Sequence, residues 1–144
     1  MNKQEIFQLM AANPGFHLAT MEGDQPRCRG MFLYRADENG IIFHTGSMKD
    51  VYQQITKNPK VELCFNDFQK GIQIRVAGKL ELLEDQALKE EIYEHPTRKF
   101  LKSFRESGNL GDFDKTFKVY CLKGGRAVCW TMATNFAPKE EILL

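Results

Sequence analysis

Thr45, Ser47 and Lys49 lie within five residues of one another and together have the chemistry to hold an anion: two hydroxyls and an ammonium. They belong to Gly40-Ile41-Ile42-Phe43-His44-Thr45-Gly46-Ser47-Met48-Lys49, which reads as a strand delivered into the start of a helix. The free N–H groups and positive dipole end of a helix start make a seat for phosphate. One predicted strand upstream, Pro26-Arg27-Cys28-Arg29 adds a second cationic element, within reach of the same anion in a hairpin. Arg27 and Arg29 are two apart, so on a strand both leave one face, which Met31 and Leu33 continue. An arginine there can grip phosphate through two parallel hydrogen bonds. The set is a candidate phosphate clamp.

Each member also has an ordinary reading. Ser47-x-x-Asp50 patterns as a capping box, with Asp in place of Glu or Gln. Arg27 and Arg29 can be a solvated strand end with snorkelling stems, and Lys49 a surface lysine. Gln73 and Arg75, on the polar face of the longest strand, either hydrogen-bond a heterocycle or simply face water. Trp130, the only tryptophan, shares a strand face with Val128 and Met132 and reads as core or as a cofactor platform. His44 faces opposite to Phe43 and Thr45, as a packing residue or a turn partner. Cys28, between two arginines, is either an activated thiol or an inert inward one. No Ser/His/Asp set, paired-carboxylate site or Gly-rich nucleotide motif stands out, and no residue is assigned a catalytic role.

The elements that must position these residues follow from bulk and pattern. A chain of 144 residues is the size of one domain, here 1–144, and can bury a proper core. Its 42% hydrophobic and 27% charged residues are ordinary for a soluble globular protein. A net charge of +1 gives no bulk field for nucleic acid or an anionic membrane, so neither is expected as a partner. No apolar run approaches the roughly 20 residues of a membrane-spanning helix, and the amino terminus is too polar for a signal peptide. Cys28, Cys64, Cys121 and Cys129 lack Cys-x-x-Cys spacing, and His17, His44 and His95 are scattered. Reduced thiols in a cytoplasmic protein, with no metal site, fit better than a disulfide framework.

Residues 2–12 read as an amphipathic helix with an Asn2/Glu5 capping box, stopped by Asn13-Pro14-Gly15. Phe16 to Met21 and Arg27 to Tyr34 form a hairpin, and Ile41 to Thr45 the third strand. A helix after Ser47 carries Met48, Val51, Tyr52 and Ile55 on one face and ends before Asn58-Pro59. Val61 to Asn66 is a fourth strand. In the fifth, Ile72, Ile74, Val76, Leu80 and Leu82 alternate with Gln73, Arg75, Lys79 and Glu81. Helical pieces over 85–94 and 97–106 are separated by His95-Pro96. Ser107 to Asp114 reads as a loop. Phe117 to Leu122 and Arg126 to Met132 flank Lys123-Gly124-Gly125 as a final hairpin. The last dozen residues either dock on a partner or fray. The fold class is mainly β with inserted helices, a small antiparallel barrel of six strands.

In order and spacing these segments resemble the FMN-binding split-barrel family that includes pyridoxamine 5′-phosphate oxidase, in its short general-stress and nitroimidazole-resistance-like branch. The matching pieces are Phe16-His17-Leu18-Ala19-Thr20, Pro26-Arg27-Cys28-Arg29-Gly30-Met31, Gly40-Ile41-Ile42-Phe43-His44-Thr45, Ser47-Met48-Lys49, Asn58-Pro59-Lys60-Val61 and Gln73-Ile74-Arg75-Val76-Ala77-Gly78. They cover about residues 1–84 well and the last hairpin loosely. The resemblance implies a six-stranded split barrel paired into a homodimer, with FMN in clefts between the subunits. Carried over by position, Arg29, Ser47 and Lys49 hold the FMN phosphate, His44 and Thr45 line the ring, Gln73 contacts the flavin, and Trp130 lies near the ring. The implied function is an FMN-dependent oxidoreductase acting on an unassigned small molecule, with NAD(P)H a candidate donor and water or His44 a proton source. The alternatives are a flavin store or stress-related redox sensor without turnover, or the same fold holding haem or a deazaflavin.

Departures from the oxidases are also legible. Met48 stands where they commonly carry an arginine, and the helix from Ser47 is longer. The Arg- and His-containing C-terminal segment that grips pyridoxal phosphate in those enzymes has no match, so oxidation of that vitamin is not expected.

Overall fold

The computed structural model describes residues 1–108 and 111–144. Eight strands are present among them: β1 Gly15–Glu22, β2 Gln25–Asp37, β3 Gly40–Gly46, β4 Lys60–Asp67, β5 Ile72–Leu83, β6 Phe117–Leu122, β7 Arg126–Thr131 and β8 Glu141–Leu143. Six of them close a ring in the order β1-β2-β3-β6-β5-β4 and back to β1, every pairing antiparallel. This is the expected barrel. Its strands alternate because one face is buried and the other is not. Phe16, Leu18, Phe43, Leu63, Phe65, Ile74 and Val76 fill the interior. Phe16 stacks on Phe65 at 4.8 Å and meets the edge of Phe43 at 5.4 Å.

The barrel is split along β5. Leu80–Leu83 pairs with β6, whereas Ile72–Ala77 pairs with β7. The two strands thus share one edge of β5 end to end, and the expected hairpin across Lys123-Gly124-Gly125 does not form. Close packing explains the difference: a Cβ on Gly125 would collide with the Leu122 and Val76 side chains, so glycine lets the chain pass the barrel wall there. The terminal residues, expected to dock elsewhere or fray, instead return as β8 along β7, pairing Arg126 with Leu143.

Helix α1, Lys3–Ala12, begins with the expected Asn2/Glu5 capping box and packs Ile6, Phe7, Leu9 and Met10 inward against the barrel. Helix α2 spans Asp50–Lys57, starting two residues later than its sequence pattern suggested, and lies against β1 and β3. Helices α3 Gln86–Glu94 and α4 Phe100–Ser107 are joined by a 3-10 turn at Pro96–Arg98, where His95-Pro96 breaks the helix as read. The loop expected over Ser107–Asp114 falls partly on residues 109 and 110, outside the described residues, and Phe113–Thr116 within reach of it is a short helix, α5. Together α3, α4 and α5 cover the outer face of β3 and β6 through Ile42, Ile92, Leu101, Phe113, Phe117 and Val119. Among the described residues no helix is long and apolar enough to cross a membrane.

Candidate functional site

Where β3 ends at Gly46, the barrel wall and helices α4 and α5 leave a cleft of about 780 Å³. Its walls are mainly apolar: Phe16, Met31, Phe32, Met48, Phe100, Phe104 and Phe117 line it, with His17, His44, Thr45 and Lys49 as polar groups. Phe32, Met48, Phe100 and Phe104 are each about half exposed (48–54%), which is unusual for side chains of that size. Pockets of this kind take small molecules against apolar walls, with a few polar groups fixing orientation.

His44 and Thr45 are consecutive on β3 and so leave opposite faces, yet both reach the cleft because it wraps around the strand end. The Thr45 hydroxyl is buried without a hydrogen-bond partner, on a residue only 6% exposed. The His44 Nε2 accepts a hydrogen bond from Arg98 Nε at 2.8 Å, and its ring packs near Phe117 and Phe100. Burial first, then the Arg98 and Lys49 charges, push the His44 imidazole down to about 3. It therefore carries no imidazolium proton to donate near neutral pH, which removes that form of the expected proton source.

Beside the cleft lies a second hollow of about 600 Å³, lined by Glu22, Arg27, Cys28, Arg29, Lys49, Asp50, Val51 and Gln54. Lys49, Gly30 and Met31 line both spaces. Arg29 is half-buried: Nη1 donates to the Leu18 carbonyl (3.2 Å) and the Thr20 hydroxyl (2.7 Å), and Nη2 to Gln54 Oε1. Two of its five N–H donors, one on Nε and one on Nη2, remain available. Burial lowers its pKa from the ordinary arginine value, with no consequence for its charge. Arg27 instead pairs with Glu22 at 3.0 Å on the surface. The Lys49 ammonium makes no ion pair among the described residues.

Helix α2 supplies its N-terminus to this hollow without a side-chain cap, and Lys49, not Ser47, holds the N-cap position. The capping box expected from Ser47 and Asp50 is not made. Ser47 sits in a tight turn closed by Lys49 N–H to Gly46 O, its own N–H donates to Thr116 O at 2.8 Å, and it lines neither hollow. The structure thus gathers Arg29, His44, Thr45 and Lys49 and leaves Ser47 aside.

Gln73 and Trp130 lie elsewhere in the single chain. They are cross-strand partners on the outer face of the β2-β1-β4-β5-β7 sheet, in one row with Asn66, Gly15 and Phe32. Gln73 donates to Asn66 Oδ1 at 3.1 Å, and the Trp130 indole to Asn135 Oδ1 at 2.8 Å. Trp130 is partly buried on the outer face and belongs to neither core cluster, so the core reading fails, and Cys28 is exposed on that same outer face. Sequence reasoning missed Thr20 and Gln54, which brace Arg29, and Arg98, which braces His44. It also missed the Phe100 and Phe104 wall. The phenylalanines carried a signal, being four apart on a helix with both rings exposed; the other three look like any polar residue until the chain folds.

A split barrel with an adjoining apolar cleft and cationic hollow defines the class of protein. The sequence matches the family model for pyridoxamine 5′-phosphate oxidase over residues 3–117. The chain belongs to that family. It is similar to the pyridoxine/pyridoxamine 5′-phosphate oxidase of Dichelobacter nodosus, 37% identical over 68 residues, which is 46% of this chain and 32% of the relative. The chain thus spans about a third of that relative's length. Its fold is similar to that of a NimC/NimA family protein from Clostridium acetobutylicum (TM-score 0.74, 24% identity, 98% of this chain and 92% of the other). A pyridoxamine 5′-phosphate oxidase-related, FMN-binding protein from Nostoc punctiforme gives a TM-score of 0.69 at 18% identity, over 96% and 88% of the two chains.

Proposed function

We propose that the protein binds FMN, with the phosphate in the hollow between Arg29 and Lys49 and the ring in the apolar cleft. One observation carries the reading: Lys49 lines both spaces, so a charged seat and a mainly apolar cleft adjoin. The residues fit the group. Among the described residues Arg29 keeps two free donors, Lys49 has no ion-pair partner, and the Thr45 hydroxyl is a buried orphan beside the ring's place. Buried polar groups without partners are rare enough to ask for a ligand. Asp50 in the same hollow opposes an anion, so the phosphate would depend on Lys49 and Arg29 outweighing it. The FMN-binding relative from Nostoc punctiforme supports the choice of flavin.

Bound flavin would supply the redox chemistry, and the chain binding, orientation and electrostatics. Arg29 and Lys49 hold the anion, Phe32, Phe100 and Phe104 exclude water, and His44 and Thr45 offer polar contacts. The protein would be a cytoplasmic oxidoreductase for a small planar molecule, with a nicotinamide as donor. It would work as a homodimer, in which a second copy supplies Gln73 and Trp130 from its outer sheet face to complete the cleft. Oxidation of pyridoxamine phosphate is not carried over, because the chain matches only part of those enzymes.

A second reading, a flavin store or redox sensor without turnover, is favoured by the neutral His44, which has no imidazolium proton to give the ring. The absorption spectrum of freshly purified protein, with the released ligand weighed by mass spectrometry, tests the flavin itself. FMN is expected, and haem or a deazaflavin would replace the reading. Bleaching of the bound flavin by NADH or NADPH, and its recovery with an acceptor, separates enzyme from store.

A further inference from the structure

Arg98 is 1% exposed, the most completely buried charge among the described residues, and no carboxylate pairs with it there. Its hydrogens go to neutral acceptors: Nη2 to the Leu33 carbonyl at 2.8 Å, Nη1 to the Thr97 hydroxyl at 3.0 Å, and Nε to His44 Nε2 at 2.8 Å. The irregular register after Leu33 in β2 lies where that carbonyl turns to Arg98. The Phe32 and Tyr34 rings lie 5.5 and 5.4 Å from the guanidinium carbon. A buried cation without a counter-ion is costly, and pairing is the usual remedy.

Arginine only donates, and it keeps its proton at any pH at which proteins fold. Nε2 of His44 must therefore accept, which puts the ring proton on Nδ1. Protonating both nitrogens would set one N–H against another. Among the charged groups around the ring, Arg98 on its turn and Lys49 before α2 both oppose protonation, and Phe100 and Phe117 carry no charge. Nδ1 has no protein partner among the described residues, and His44 lines the cleft.

We propose that Arg98 is a positioning residue that fixes His44 as its Nδ1–H tautomer, and that this N–H, backed by the buried guanidinium, receives a carbonyl or carboxylate oxygen of a planar ligand in the cleft. The receptor accepts negative groups and rejects cationic ones. It concerns any planar occupant, so it can fail while the flavin reading stands, and the reverse.

Nitrogen-15 NMR of the imidazoles in ligand-free wild-type protein tests the tautomer directly. Protonated Nδ1 and bare Nε2 on His44 are expected from about pH 5.5 to about pH 8, a range in which an ordinary histidine titrates. An Nε2–H ring, or a second proton gained in that range, overturns the assignment. Benzoate and benzamidine then probe the receptor in Lys49→Ala protein, where the surface cation no longer contributes. Benzoate is expected to bind at least about tenfold more tightly, a difference kept in Arg98→Lys and lost in Arg98→Met. Equal affinities, or no measurable benzoate binding, overturn the receptor. Should Arg98→Met not fold, the wild-type spectrum and the probe ratio with Arg98 in place still decide.

Discussion

Lys49 and Arg29 are both assigned to one phosphate, but they differ in how the chain uses them. Lys49 is exposed and its ammonium makes no ion pair among the described residues, whereas Arg29 braces Thr20 and Gln54, which are 2% and 5% exposed. Replacing either with Ala is expected to weaken FMN binding by about 1.5–3 kcal/mol, the worth of a charge-assisted hydrogen bond. Only Arg29→Ala should also lower the melting temperature, because it strands buried polar partners. Flavin-fluorescence quenching and thermal melts separate the two effects. Asp50→Asn, which removes the opposing charge from the hollow, is expected to tighten FMN binding in the same titration. His44 has a pH consequence. Its folded pKa lies near 3, below the ordinary 6.5, so the unfolded chain binds the extra proton first. That contribution to stability is complete above about pH 6.5 and declines as pH falls towards 3. Urea midpoints should accordingly drop more on acidification in wild type than in His44→Gln. That Arg29 and Lys49 share one hollow was legible because both follow local rules of strand alternation and a strand-to-helix junction. Arg98 was not, since its histidine partner lies 54 positions away and nothing near it in sequence marks it.

At the level of elements, alternation located the barrel strands, and Pro and Asn signals located most helix ends. What local pattern could not encode was which edge each strand joins. Phe117–Leu122 and Arg126–Thr131 look like a hairpin about a Gly-Gly turn, yet both pair with β5 because that strand is long enough to offer each a separate stretch. The crossing depends on Gly125, and Gly125→Ala is expected to destabilise by about 1–3 kcal/mol through overpacking. Gly124 has φ +66 and open space around it, so its Ala variant should lose only about 1 kcal/mol, from backbone strain alone. Chemical denaturation of the two variants compares them. The start of α2 was misplaced for a similar reason. Ser47 and Asp50 have the right spacing for a cap, but the Ser47 N–H is drawn to Thr116, beyond the horizon of the local sequence.

For the whole molecule, the barrel closes through the β1–β4 pairing, which joins Phe16 to Phe65 across the chain. Alternating strands made a barrel the natural reading, although closure itself is a property of the ring and not of any strand. The outer sheet face keeps Phe32, His17, Gln73 and Trp130 in adjoining rows, and of these Phe32 and His17 also line the cleft. The proposed dimer covers that face. Light scattering at micromolar concentration is expected to give twice the chain mass with one flavin per chain. A monomer that still binds flavin would confine the site to the cleft described and leave Gln73 and Trp130 without a role in it.

Comparing FMN with riboflavin reaches the heart of the account, since the two differ only in the phosphate that Arg29 and Lys49 are proposed to hold. In paired titrations, wild-type protein is expected to favour FMN by more than about tenfold, and Lys49→Ala to lose most of that preference. Equal affinity of the wild type for both, or an FMN preference untouched by Lys49→Ala, would contradict it.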